Sequence, residues 1–195
     1  MKHIFINNNS KDTLILLHGT GGDEHDLMPI ANHISNKANI LSFRGNIVEN
    51  GMNRFFKRLG MGVYDLESYE HETNNLLNSI KELSTKYEIN LENTTIVGFS
   101  NGANIALGLI QTNNIVKNYI LYSPDFINPS KEFPTLDGVN IFISTADNDP
   151  FVNPNNMKLL IHKLKENNAN VKVYKQLGHQ LNIDTLNESI NWYQK

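Results

Sequence analysis

The sequence of 195 residues contains no cysteine. This absence excludes a disulfide framework, a thiolate nucleophile and a thiolate metal site, and it favours a reducing, cytoplasmic location. The net charge of −3 gives no basic surface for nucleic acid or an anionic membrane. No apolar run approaches the roughly 18 residues that a membrane span needs, and residues 1–6 are too short for a signal peptide. We therefore expect a single globular domain over residues 1–195.

Apolar runs alternate with amphipathic stretches along the chain. Continuous apolar runs predict strands that are buried on both faces, at 14–17, 39–43, 94–98, 116–122, 139–145 and 171–177. Apolar positions at helical spacing predict helices at 67–87, 101–112, 155–168 and 183–193. This repeated order predicts an α/β fold with a doubly wound, mostly parallel sheet and helices on both faces. Residues 3–6 are expected to form an antiparallel edge hairpin with 13–17.

The segment 94–103, TTIVGFSNGA, has the pattern of a buried strand, a tight G-x-S-x-G turn and an apolar helix. Such a turn forces its serine into a strained backbone conformation, so that the hydroxyl stands clear at the end of the sheet. Gly98 and Gly102 are required because a Cβ atom in so tight a bend would collide with a neighbouring strand or helix. Ser100 is therefore the candidate nucleophile.

A serine hydroxyl needs a base that removes its proton during attack. In this type of sheet an acid and then a histidine follow the serine along the chain, each in a loop after a strand. His179 lies directly after the last predicted strand and is the candidate base. Asp149 is the favoured acid because the proline that follows it restricts its backbone. Asp147 in the same loop and Asp125 after an earlier strand remain alternatives.

The loop at residues 17–23, LHGTGGD, follows an early strand and is the predicted source of one oxyanion donor. Acyl transfer requires such donors because negative charge grows on the carbonyl oxygen. The backbone N–H groups of Thr20 and Asn101 are the candidates. His18 is expected to order this loop by hydrogen bonding.

Two other interpretations of the early loop are weaker. His18, Asp23 and His25 do not have the spacing of metal ligands on one helix or strand face, so no metal is expected. The GTGG sequence also resembles a dinucleotide loop, with Arg44 as a partner for a 2′-phosphate. Glu24 occupies the place of the third glycine, so no cofactor is expected.

The segment 44–66 is glycine-rich and irregular, and it leaves the end of a strand, where ligands bind in this topology. It is either a surface loop with minor core contacts or a wall of the substrate pocket. Met52, Phe55 and Phe56 are the candidate pocket residues, and Met61 is a further apolar side chain of the same segment.

Several separated motifs resemble the phospholipase/carboxylesterase family of α/β-hydrolases. They are LHGTGGDE at 17–24, GFSNGA at 98–103, DP at 149–150 and GHQL at 178–181. RGN at 44–46 and GMNRFF at 51–56 resemble a bacterial subgroup associated with hydroquinone and catechol resistance. The resemblance implies a cofactor-free hydrolase without a large cap domain. Its triad would be Ser100, Asp149 and His179, and its oxyanion donors would be Thr20 and Asn101.

The expected activity is cleavage of a small carboxylic ester or thioester through an acyl-enzyme, with a small-molecule ester as the partner. The alternative is a non-catalytic scaffold that binds quinone-like or aromatic effectors through Met52, Phe55 and Phe56. A complete set of triad candidates favours the enzyme. Whether the chain forms a homodimer stays open at this stage.

Overall fold

The computed structural model describes residues 1–60 and 62–195. Its strands are β1 (His3–Ile6), β2 (Thr13–Leu17), β3 (Asn39–Phe43), β4 (Ile47–Glu49), β5 (Met52–Arg54), β6 (Arg58–Gly60), β7 (Val63–Tyr64), β8 (Thr94–Phe99), β9 (Asn118–Tyr122), β10 (Asn140–Thr145) and β11 (Asn170–Lys175). Its α-helices are α1 (Met28–Ile34), α2 (Leu66–Lys86), α3 (Asn101–Thr112), α4 (Pro154–Glu166) and α5 (Ile183–Tyr193).

Seven strands form one sheet in the order β1-β3-β2-β8-β9-β10-β11. The pair β1–β3 is antiparallel and the five other neighbouring pairs are parallel. Parallel neighbours require crossover connections, which the helices supply. The predicted doubly wound α/β fold is confirmed.

The central strand β2 is buried on both faces, which explains its uninterrupted apolar sequence. Ile15 and Leu17 belong to the larger core cluster, which includes apolar residues of α2, α3 and α4. Leu14 and Leu16 point to the opposite side and pack in a second cluster with residues of α1 and α5. Helices therefore cover both faces of the sheet. None of them, within the described residues, has the length and apolarity to cross a membrane.

The edge strand β1 is antiparallel as predicted, but its partner is β3 and the predicted hairpin with β2 is wrong. The reason is that β2 already bonds to β3 on one side and to β8 on the other. Asn8 fixes the chain after β1 beside the start of β3. Its N–H donates to Asn39 Oδ1 at 2.9 Å and its Nδ2 donates to the Ala38 carbonyl at 2.7 Å.

The segment 44–66 is more regular than its sequence indicates. It contains two short antiparallel pairs, β4 with β5 and β6 with β7. These pairs sit beyond the carboxyl end of β3, at the edge of the sheet where ligands bind in this topology. The helix α1 carries His33, where the sequence favours a helix, although one apolar stripe over seven residues is too short to fix its bounds.

Three asparagines form a ladder across the amino ends of β9, β10 and β11. Asn140 lies opposite both Asn118 and Asn170 in the parallel register. The Asn140 amide donates to Asn118 Oδ1 and the Asn170 amide donates to Asn140 Oδ1, each at 3.1 Å. The ladder lines an open groove of about 630 Å³. This groove lies at the end of the sheet opposite to the strand ends that carry Ser100, Asp149 and His179.

Candidate active site

Ser100 occupies the turn between β8 and α3 with φ 49° and ψ −113°. This left-handed conformation is strained for a residue with a side chain, as the sequence predicts. A Cβ atom on Gly98 would lie 2.7 Å from the Ala103 nitrogen, and one on Gly102 would lie 2.0 Å from the Leu17 carbonyl oxygen. The two glycines therefore let α3 begin in direct contact with the backbone at the end of β2.

Ser100, His179 and Asp149 form one continuous hydrogen-bonded chain. The His179 Nε2 atom lies 2.8 Å from Ser100 Oγ, and Nδ1 lies 2.6 Å from Asp149 Oδ2. Asp149 is only 7% exposed, and its other oxygen accepts the Phe151 N–H at 2.8 Å. A carboxylate only accepts hydrogen bonds, so the proton of the neutral imidazole lies on Nδ1 and Nε2 faces the hydroxyl as an acceptor.

The two alternative acids lie elsewhere. Asp147 has an 82% exposed side chain and forms an ion pair with Lys175. Asp125 is buried, and its Oδ2 accepts the Tyr64 hydroxyl at 3.3 Å. The structure therefore brings Asp149 to the histidine and leaves Asp147 in solvent.

The loop that carries His179 is held by Gln176, which sequence reasoning did not identify. The buried Gln176 amide nitrogen contacts Ser123 Oγ at 2.9 Å, the Gly178 carbonyl at 3.2 Å and the Gln180 carbonyl at 3.0 Å. Its oxygen accepts the Thr185 hydroxyl at 3.0 Å. Because these contacts lie on both sides of the histidine, they fix the loop that presents the imidazole.

Thr20 lies in the early loop and Asn101 follows Ser100 in the nucleophile turn, the positions that the sequence predicts for the two oxyanion donors. In the described part of the chain neither N–H has an acceptor. The strand β5 holds the early loop in position. The Gly21 N–H donates to the Asn53 carbonyl at 2.9 Å, and the Asn53 amide donates to the Gly22 carbonyl at 2.8 Å.

His18 orders the same loop from the other side, which confirms its expected role. Its Nδ1 contacts the Gly19 carbonyl at 2.6 Å, and its Nε2 accepts the Gly45 N–H at 3.0 Å. Burial lowers the pKa of His18, so the ring is held neutral with its proton on Nδ1. The buried ring therefore links the early loop to the chain that leaves β3.

Arg44, the residue considered as a partner for a 2′-phosphate, forms ion pairs with two carboxylates. Its Nη2 lies 3.1 Å from Asp23 Oδ2, and it also forms an ion pair with the buried Glu24. Lys2 contacts the same Glu24 carboxylate at 3.0 Å. Among the residues that the structure describes, no three His, Asp or Glu side chains form a group that could hold a metal ion.

Glu24→Gln should destabilise the protein at neutral pH. Burial alone would raise the pKa of Glu24, but hydrogen bonds from its own backbone N–H, Lys2 and Arg44 outweigh it and lower the pKa to about 2. A depressed pKa means that the ionised carboxylate stabilises the fold above its ordinary pKa of 4.5, and that this contribution is lost as the pH falls toward 2. Urea unfolding of the wild type and of Glu24→Gln, near neutral pH and near pH 3, measures the free energy of unfolding. The difference between the two proteins should be smaller near pH 3. A difference that stays constant would contradict this account.

A cavity of about 480 Å³ opens over Ser100 and His179. Met52 lines it as predicted, together with aromatic side chains that the sequence did not single out and two arginines. The added aromatic residues are Tyr64, Phe99 and Phe151, and the arginines are Arg54 and Arg58. The segment 44–66 therefore forms a wall of this cavity. Met61 lies outside the described residues.

The placement of Phe55 and Phe56 in the pocket needs correction. Both side chains are 0% exposed and belong to the main core cluster. Phe56 packs edge-on against Tyr69 at 4.9 Å between ring centres, and Phe55 packs against His18 at 4.8 Å. The Asn101 side chain draws this segment inward, because its Oδ1 accepts the Phe55 N–H at 2.7 Å. Phe99 and Phe151 could have been found, since Phe99 directly precedes Ser100 and Phe151 lies two residues after Asp149.

A tight serine turn after a central parallel strand, with an acid loop and a histidine loop after later strands, defines an α/β-hydrolase fold. The chain belongs to the Phospholipase/Carboxylesterase family, whose sequence model matches residues 4–195. This confirms the family that the sequence motifs resemble.

Individual relatives agree with this assignment. The chain is 37% identical over 197 residues to the putative hydrolase MhqD of Bacillus subtilis (strain 168), and the match covers 100% of this chain and 98% of MhqD. It is similar to the crystal structure of the Bacillus cereus carboxylesterase, with a TM-score of 0.96, 36% identity and coverage of 100% and 93%. It is also similar to the structure of YahD with malic acid, with a TM-score of 0.95, 32% identity and coverage of 99% and 98%. The protein is a carboxylic ester hydrolase.

Proposed function

We propose that the protein is a cofactor-free serine hydrolase that cleaves small carboxylic esters or thioesters through an acyl-enzyme. The observation that carries this proposal is the chain of contacts from Ser100 Oγ through His179 to Asp149, at 2.8 Å and 2.6 Å, beside an open cavity. These are the distances over which a base removes the proton of a serine nucleophile.

In the first half of the reaction, Ser100 Oγ attacks the acyl carbon while its proton passes to His179 Nε2. The carbonyl oxygen becomes negative and is bound by the N–H groups of Thr20 and Asn101. Asp149 keeps the Nδ1 proton in place and stabilises the imidazolium that forms. The C–O or C–S bond of the leaving group then breaks, and Nε2 returns the proton to the departing alkoxide or thiolate.

In the second half, a water molecule takes the place of the alcohol or thiol that has left. His179 Nε2 takes a proton from the water as its oxygen attacks the acyl-serine, and the same N–H groups bind the oxyanion. Collapse releases the carboxylic acid and returns the proton to Ser100 Oγ. Every proton that the reaction moves is carried by one imidazole nitrogen, so the residues present complete the cycle.

The size of the cavity and one relative support small substrates. About 480 Å³ lies at the small end of the usual range for ligand pockets. YahD, which is 32% identical to this chain, has a structure with malic acid, a small molecule. A cytoplasmic location belongs to the same proposal, because the chain contains no cysteine.

The alternative of a non-catalytic binding scaffold keeps only one of its three named contacts in the cavity. Of its contacts Met52, Phe55 and Phe56, Met52 lines the cavity, whereas Phe55 and Phe56 are buried in the core. The cavity instead presents a serine hydroxyl with an aligned imidazole, an arrangement that a binding protein does not need.

Labelling with a fluorophosphonate tests the nucleophile directly. The reagent should form an adduct on Ser100, detected by peptide mass spectrometry, because only a hydroxyl beside an aligned base is reactive. Ser123 is the internal control, since it has a similar φ of 48° but its Oγ is buried against Gln176. An unlabelled Ser100 in folded protein would contradict the proposed function.

Asp149→Asn should reduce kcat by about 10³- to 10⁴-fold, whereas Asp147→Asn should leave it unchanged. The asparagine N–H can donate a hydrogen bond to Nδ1 and so favours the imidazole tautomer with its proton on Nε2, which cannot accept from serine. Asp147 is the matched control because it lies in the same loop but pairs with Lys175. Steady-state hydrolysis of a short-chain aryl ester measures both variants. An equal loss of kcat in both variants would show that a disturbed loop, and not the missing Asp149 carboxylate, causes the loss.

A further inference from the structure

The wall of the cavity carries an excess of positive charge. Arg54 and Arg58 both line it, and the lining residues that the structure describes include no aspartate or glutamate. Arg54 is only 3% exposed, at the end of β5, and Arg58 is half-buried at the start of β6. A buried cation is costly unless it has a partner, so the partners of these two groups decide what the cavity can bind.

The Arg54 guanidinium is bound by the protein through its Nε and Nη1 atoms. Its Nε donates to the Phe56 carbonyl at 3.2 Å and lies 3.2 Å from Glu49 Oε2. Its Nη1 donates to the Thr20 hydroxyl at 2.9 Å. Within residues 1–60 and 62–195, Nη2 has no hydrogen-bond acceptor. The group is therefore fixed in orientation and keeps donors for a ligand, directly beside the residue that supplies an oxyanion N–H.

Arg58 is less constrained. Its backbone N–H donates to Glu49 Oε1 at 3.1 Å, but its guanidinium has no ion pair or hydrogen bond with the residues that the structure describes. Glu49 therefore pairs with the guanidinium of Arg54 and contacts Arg58 only through its backbone N–H. Burial lowers the pKa of Arg54, and the like charge of Arg58 lowers it further. An anion between the two groups would relieve this repulsion.

We propose that the cavity takes esters or thioesters that carry a second, ionised carboxylate, and that Arg58 and the Arg54 Nη2 bind this carboxylate. The inference rests on the proposed hydrolase function. A carboxylate fits because the planar fork of a guanidinium donates two parallel hydrogen bonds to it. Since Arg54 contacts Thr20, the carboxylate lies a short distance from the scissile carbonyl. The substrate class is therefore the half-esters of short dicarboxylic acids or esters of small hydroxy acids.

Two matched pairs of esters test this specificity. One pair places the carboxylate on the acyl side, as the 4-nitrophenyl half-ester of adipic acid against the 4-nitrophenyl ester of adipic monoamide. The other pair places it on the leaving group, as 4-carboxyphenyl acetate against 4-carbamoylphenyl acetate. In at least one pair kcat/KM should be about 10-fold higher for the carboxylate, and the preference should shrink at high salt. The pair that shows this preference identifies whether the bound carboxylate lies on the acyl group or on the leaving group of the substrate.

The variant Arg58→Gln should reduce the carboxylate-to-amide ratio of kcat/KM by about 10-fold, mainly through KM. Lys57→Gln is the control, because it removes the same charge from an exposed neighbour that does not line the cavity. Equal kcat/KM within both pairs, with hydrolysis that still requires Ser100, would overturn this inference and leave the hydrolase intact. If no ester is cleaved in a Ser100-dependent way, the proposed function itself fails. If Arg58→Gln does not fold, the carboxylate-to-amide ratios of kcat/KM for the wild type, and their dependence on salt, test the inference instead.

Discussion

Replacing Ser100 with alanine should lower kcat for ester hydrolysis by about 10⁵- to 10⁶-fold. The alanine variant lacks the oxygen that attacks the acyl carbon, so no acyl-enzyme can form. His179 and Asp149 then no longer contribute to the rate, because the three side chains act through one hydrogen-bonded chain. His179→Ala should therefore cost about as much as Ser100→Ala, and the double variant should be little worse than either single variant. Residual activity should come from the oxyanion donors and substrate binding alone.

The measurement is steady-state hydrolysis of a short-chain aryl ester, with circular dichroism to show that each variant is folded. Ser130→Ala is the matched control because Ser130 is an exposed serine in a turn. Its kcat should equal that of the wild type. If Ser100→Ala retains more than about one hundredth of the wild-type rate, the serine mechanism is wrong.

Gly102→Ala should destabilise the protein by about 4 kcal/mol and lower Tm by about 10 °C. The added Cβ would lie 2.0 Å from the Leu17 carbonyl oxygen and 2.6 Å from the His18 carbonyl oxygen. Neither oxygen belongs to a side chain that can rotate away. Relief therefore requires that α3 moves off the end of β2, which would also displace Ser100 from His179.

Gly60→Ala is the matched control for this prediction. A Cβ on Gly60 would meet only the Val63 Cβ, at 4.0 Å, which is ordinary contact. Its free energy of unfolding should change by less than about 0.5 kcal/mol. Thermal unfolding of the two alanine variants in parallel measures the difference. A Gly102→Ala protein with wild-type Tm would show that the start of α3 can shift without cost.

The elements that the sequence predicts well are those with a strong local pattern. The helix at 101–112 has the observed bounds of α3, and the strand at 94–98 is one residue shorter than β8. Both are defined by continuous apolar residues and by the glycines of the turn between them. The candidate acid and base are found for a related reason, since chain order after parallel strands places them at the same edge of the sheet.

The elements that the sequence does not predict depend on distant parts of the chain. Whether β1 pairs with β2 or β3 is decided by which edges of β2 are already taken, and this is a property of the whole sheet. Phe55 and Phe56 resemble pocket residues because they lie in a glycine-rich segment. Their burial depends on distant residues, because the Phe55 N–H donates to Asn101, 46 residues further along the chain, and the Phe56 ring packs against Tyr69. Arg54 and Arg58 become neighbours through the same folding of this segment.

The asparagine ladder lies at the amino ends of the strands, far from the carboxyl ends that carry the triad. Because the chain contains no cysteine, a single cysteine introduced there would give one unique thiol. Lys172 is a suitable position, since it is exposed on β11 and lines the groove beside the ladder. Coupling to a solid support through this thiol would orient every molecule with its cavity toward the solvent, so an immobilised preparation would remain accessible to substrate.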